Sequence, residues 1–127
     1  MAANLDHMIL PVNELDRSLE FYCDLLQFDK DAEQGPFQGV RVNESLVLLL
    51  SPYGTKGGLH LAFNFSRDQF NAIFANIKSK GMDYGDRFDQ VDNGQGPTLT
   101  EGAQGDQPAL YVMDPDQHLI ELRYTVA

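Results

Sequence analysis

The chain has 127 residues, 43% of them hydrophobic and 22% charged, a length that suits one domain around one hydrophobic core. Its net charge of −10 and pI of about 4.4 argue against nucleic acid and anionic membrane as partners. The lone cysteine, Cys23, excludes an internal disulfide framework and fits a cytoplasmic location; no window approaches a membrane span, and MAANLDHMIL lacks the basic-then-apolar order of a signal peptide.

The first predicted element is a strand through His7–Val12, followed by a helix. Asn13 is its expected cap, Asp16 falls in its first turn, and Leu15, Leu19, Tyr22 and Leu26 recur at helical spacing. Cys23 falls inside that helix as a packed, inert thiol. Short strands follow around 37–43 and 46–50, ending in SPYG.

Residues 59–66, LHLAFNFS, then alternate as a strand with one buried face. Ser66 and Gln69 form a capping-box pattern. Phe70, Ile73, Phe74 and Ile77 make an apolar helical stripe, and Gly81 is the expected stop. Further strands are expected at 82–84, 109–113 and 118–124. The last two are joined by the turn Asp114-Pro115-Asp116-Gln117. Residues 92–107, with four glycines and little apolar content, read as a long loop of functional type.

This order repeats. Each half reads strand, cap, helix, strands, and in each a histidine stands six residues before the expected cap: His7 before Asn13, His60 before Ser66. The expected fold class is α+β. Two βαβββ modules, about 4–55 and about 57–125 within a single domain of residues 1–127, form a curved, mostly antiparallel sheet cup with helices outside.

Side-chain parity sorts the candidates. Leu110, Val112, Ile120 and Leu122 belong to the helix-packed face, together with His118. The helix-free face collects His7, His60, Tyr111, Glu121 and Arg123. Two imidazoles and a carboxylate on strands suit a divalent first-row ion such as Fe, Mn, Ni, Co or Zn, with coordination positions left open for a substrate. Each residue also has an ordinary reading. The histidines fit hydrogen-bonded structural positions, Glu121 an ion pair with Arg123 or Arg41, and Tyr111 a core aromatic.

The first-strand histidine, the helix LDRSLEFYCDLLQF, the second histidine in GLHLAF and the ending ALYVMDPDQHLIELR together resemble the vicinal oxygen chelate superfamily over essentially the whole chain. That superfamily includes glyoxalase I, fosfomycin-resistance thiol transferases, bleomycin-resistance proteins and extradiol dioxygenases. The most specific part is the DPD turn with a glutamate seven residues after its first aspartate, Asp114 to Glu121. The resemblance implies a cup around a divalent metal held by His7, His60 and Glu121. It also implies a small-molecule substrate bound through two oxygens, with a thiol or dioxygen as co-substrate in some branches, and a homodimer.

Departures narrow the branch. Leu49 or its neighbour stands where glyoxalase I enzymes carry a fourth ligand glutamate. Tyr111 matches a substrate-contacting tyrosine of the fosfomycin transferases, but Ile9 replaces their threonine, and residues 88–110 contain no lysine or arginine. The extra histidine base of familiar extradiol dioxygenases has no counterpart, because His118 faces away. The expected activity is therefore a metal-dependent lyase, dioxygenase or thiol transferase. In it Tyr111 donates a hydrogen bond, Arg123 offsets anionic charge, Asn64 is a nearby contact and loop 92–107 acts as a lid. The alternative is a metal-free small-molecule binder of the bleomycin-resistance type.

Overall fold

The computed structural model describes residues 2–126. The chain divides into two compact units at Gly57 and Gly58. Each carries a four-stranded mixed sheet with one parallel and two antiparallel pairings, which establishes the α+β class.

In the first unit, β1 (His7–Pro11) leads into α1 (Leu15–Leu19), which widens into a π-helical segment (Glu20–Leu25). Then come β2 (Asp29–Gln34), β3 (Phe37–Arg41) and β4 (Val47–Ser51), in the sheet order β1-β4-β3-β2. In the π-helical segment Phe21, Tyr22 and Leu25 are buried, as are Leu10, Val40, Leu48 and Leu50 on the strands. Gln27, at φ 67, ends that segment.

Two expectations fail here. The N-cap of α1 is Glu14, which makes no side-chain cap bond. Asn13 is instead bonded to Thr55, accepting its N–H at 2.9 Å and donating to its carbonyl at 3.2 Å. A partner 42 residues away thus outcompetes the local cap. Strand β2, DKDAEQ, completes the expected βαβββ order at residues for which the sequence predicts no strand. It is a largely exposed edge strand with no apolar alternation. Its register shifts between Lys30 and Glu33, and the bulge brings the Ala32 carbonyl so close that a Cβ on Gly39 would lie 2.6 Å from it.

In the second unit, β5 (His60–Phe65) leads into α2 (Arg67–Ser79), then β6 (Thr98–Thr100), β7 (Gln107–Met113) and β8 (Leu119–Tyr124), in the order β5-β8-β7-β6. The expected capping box on α2 is present in both directions, between Ser66 and Gln69. Gly81, at φ 66, follows the helix end. Phe70, Ile73 and Ile77 are buried, and α2 packs on β5 and β8.

The expected strand at 82–84 is replaced by a single bridge from Gly85 to Tyr111. The first strand after α2 is instead β6, inside the segment expected to be a loop. In the turn before β8, the Asp114 carboxylate accepts the N–H groups of Asp116 and His118 at 2.8 and 2.9 Å. His118 is fully buried, and its Nδ1 accepts the Leu59 N–H at 3.2 Å.

Candidate functional site

Four of the five candidate site residues lie in the second unit, and three of them sit on adjacent positions of one sheet face. Tyr111 on β7 pairs with Glu121 on β8, and Glu121 pairs with Ala62, two residues along β5 from His60. Parity therefore aims His60, Tyr111, Glu121 and Arg123 to the same side. The His60 Nε2 lies 3.0 Å from Glu121 Oε1. His60 is half exposed at 49% of its side chain, whereas Glu121 is 8% exposed, so this pair is approached from the histidine side.

Behind Glu121 is a closed ring of hydrogen bonds. Arg123 Nη1 donates to Glu121 Oε2 and, at 2.7 Å, to the Thr100 hydroxyl. The Tyr111 phenol bonds both the Thr100 hydroxyl and the Glu121 carboxylate. A carboxylate only accepts, so Tyr111 donates to Glu121 and accepts from Thr100. Burial pushes the Tyr111 phenol above its ordinary pKa of 10.0, and the Glu121 charge adds to the rise.

Arg123 also ties down the segment after β6. Its Nη2 donates to the carbonyls of Thr100 at 2.9 Å and Gly105 at 3.1 Å, and its Nη1 reaches the Glu101 carbonyl at 3.4 Å. Arg123 is buried under that segment, its side chain 8% exposed. Gly102 crosses so close that a Cβ there would lie 2.5 Å from Arg123 Nη2. Thr100 was not singled out in the sequence. The only signal for it was its place in a loop of functional type.

His7, the fifth candidate, belongs to the first unit. Its side chain is half exposed, and its Nδ1 lies 2.8 Å from Asp6 Oδ2. It opens on a cleft of about 370 Å³ lined also by Gln34, Arg41 and Glu44. Arg41 is held there by Asp31 at 2.7 Å. The Ala32 N–H and then Arg41 hold the Asp31 carboxyl below its usual range. Leu49 lies opposite Ile9, two residues on from His7, as Glu121 lies opposite Ala62, two on from His60. The first unit thus carries leucine where the second carries the carboxylate. Asn64 donates to the Thr125 hydroxyl at 3.0 Å.

Among the described residues, no group of three or more His, Cys, Asp or Glu is gathered closely enough to hold a metal ion. The donor chemistry nevertheless fits one. A separation of 3.0 Å between His60 Nε2 and Glu121 Oε1 is that of neighbouring ligand atoms on bonds of about 2.1 Å. Asp6 at Nδ1 of His7 is the carboxylate–histidine arrangement that leaves Nε2 as the free donor.

A family model described as the glyoxalase/bleomycin resistance protein/dioxygenase superfamily matches residues 4–122. Members of this superfamily bind small molecules and commonly use divalent metals. Among solved structures, oxidase ChaP-H2 is 25% identical with a TM-score of 0.82, over 99% of this chain and 96% of that one. TnmS3, an antibiotic binding protein from Streptomyces sp. CB03234, is 19% identical with a TM-score of 0.73, over 98% of each chain. A glyoxalase/dioxygenase from Nostoc punctiforme is 18% identical with a TM-score of 0.71, over 98% of this chain and 92% of that one. The last two share the fold. With a match over nearly its whole length, the chain belongs to the glyoxalase/bleomycin resistance protein/dioxygenase superfamily.

Proposed function

We propose that the protein is a divalent-metal-dependent enzyme acting on a small oxygenated substrate, with His7, His60 and Glu121 as the metal ligands. The observation that carries this reading is the approach of His60 Nε2 to Glu121 Oε1 at 3.0 Å, with the other carboxylate oxygen held from behind by Arg123. A bound Fe, Mn, Ni, Co or Zn ion would supply Lewis acidity toward two vicinal oxygens of the substrate. Glu121 and the histidines would hold it, and half-exposed His60 marks the side from which substrate enters. Tyr111 and Arg123 act through Glu121. Their donors point at its carboxylate, so they are assigned here to positioning it rather than to substrate contact.

The protein is further proposed to work in the cytoplasm as a homodimer. β1 stands at the end of its sheet's strand order and carries the exposed Ile9, and Leu5 ahead of it is exposed as well. Light scattering on the purified protein tests this.

Metal analysis of protein purified without a histidine tag tests the main reading. The expected result is about one divalent ion per chain, lost in His60→Ala and Glu121→Gln. Less than about a tenth of that, with no thermal shift on adding Mn, Fe, Co, Ni or Zn, would sink the reading. Assays of methylglyoxal with a thiol, fosfomycin with a thiol, and catechols with dioxygen then choose the reaction.

A second reading, metal-free sequestration of a small molecule, is favoured by one observation. Every buried side-chain nitrogen and oxygen among the described residues already has a partner. The antibiotic-binding relative with this fold fits it too. Stoichiometric metal separates the two.

A further inference from the structure

The segment around β6 has the composition of a free loop, yet it is bolted to the back of Glu121. Thr100 is the bolt. Its hydroxyl accepts from Arg123 Nη1 at 2.7 Å and bonds the Tyr111 phenol, and its carbonyl accepts from Arg123 Nη2 at 2.9 Å. Both partners touch Glu121, so the carboxylate plane is fixed from two sides by groups that themselves meet on Thr100. One oxygen, Oε2, is taken by Arg123, and Oε1 is turned to His60. The carboxylate is thereby presented as a one-oxygen ligand.

Bare strand pairing does not explain this anchoring. β6 is three residues long, Thr98 and Leu99 are exposed, and residues 101–106 after it are exposed as well. Beyond the short ladder with β7, this stretch is tied to β8 by Arg123, which donates to the carbonyls of Thr100, Glu101 and Gly105.

We infer that Thr100 is a positioning residue which latches segment 101–105 to Glu121, coupling the order of that segment to the affinity of the site for a divalent ion. Coupling of this kind runs both ways. Holding the segment closed keeps Oε1 aimed at His60, and an ion bound at Oε1 favours the closed segment. Gly102 belongs to the same device, because only a residue without a side chain leaves room for the guanidinium beneath it.

The metal half of this inference rests on the function proposed above, so the experiment has two independent arms on the native chain, Thr100→Val, Thr100→Ser and Gly102→Ala. Thr100→Val keeps the shape and removes the hydroxyl, and Thr100→Ser restores it. Gly102→Ala displaces Arg123 without touching Thr100, which keeps the test decisive if the valine variant does not fold.

In the first arm, metal-free protein is treated with a glutamate-specific protease, and cleavage after Glu101 is followed by mass spectrometry. Thr100→Val and Gly102→Ala are expected to be cut several-fold faster, and Thr100→Ser at the native rate. Equal rates in all four chains overturn the latch. In the second arm, Co(II) alone is titrated and its absorption spectrum recorded. Thr100→Val and Gly102→Ala are expected to bind about tenfold more weakly or worse with an altered spectrum, and Thr100→Ser within about threefold of native. Native affinity and spectrum in Thr100→Val overturn the coupling. A native chain that binds no Co(II) overturns the metal function and the coupling with it, and the latch then stands or falls on the cleavage rates.

Discussion

Tyr111 joins the rigid and chemical aspects of the site in one hydroxyl. The phenol donates to Glu121 and accepts from Thr100, so Tyr111→Phe removes one hydrogen bond from each, while Arg123 still bonds both. A hydrogen bond to a charged group contributes about 1.5–3 kcal/mol, and a chemical-denaturation midpoint should fall accordingly. The same residue sets a pH dependence. Burial, then the charge of Glu121, raises its pKa in the fold above the ordinary 10.0. A group raised on folding contributes stability that is intact below its unfolded pKa and lost as the pH climbs through the folded one. The native chain should therefore lose stability from about pH 10 upward, and Tyr111→Phe should lack that part of the decline. Urea midpoints from about pH 9 to 11 read both chains, and parallel declines would contradict the assignment.

Single elements show which parts of the fold the sequence declares and which it hides. β5 and β8 declare themselves because apolar residues alternate with others along each, although only β5 alternates in exposure and β8 is buried on both faces. Parity then places His60, Tyr111, Glu121 and Arg123 on one side without any coordinates. β2 and β6 carry no such pattern. DKDAEQ is largely exposed, and TLT is held by β7 and Arg123 rather than by burying its own side chains. Thr100 was hidden for the same reason, since its partners come from β7 and β8. The two helix starts make the contrast measurable. Ser66 closes a full capping box on α2, whereas Glu14 caps α1 with no side-chain bond. Ser66→Ala should cost about 1 kcal/mol, and Glu14→Ala should stay within about 0.5 kcal/mol of native. Thermal melts compare them directly, and equal losses would mean that the capping box contributes nothing at α2.

At the scale of the whole molecule, nineteen acidic residues face nine basic ones, and the chain folds against its own repulsion. Several bases are already committed locally: Arg17 stands by Glu14, Arg41 by Asp31, Arg87 by Asp89 and Arg123 by Glu121. What acts over longer distances is therefore mainly unpaired negative charge. Raising the salt from about 0.01 to 0.1 M shortens the screening length from about 30 to 10 Å, which reaches across a surface before it reaches into a contact pair. The melting temperature should rise over that range, because distant like-charge repulsion is screened while the buried Glu121–Arg123 pair is left nearly intact. The same field steers ligands. Association of a cationic small molecule should slow with added salt, and that of an anionic one should quicken. A melting temperature that stays level or falls would mean that exposed pairs such as Arg87–Asp89 outweigh the net repulsion, and the acidic surface would then have no claim to choosing the charge of the ligand.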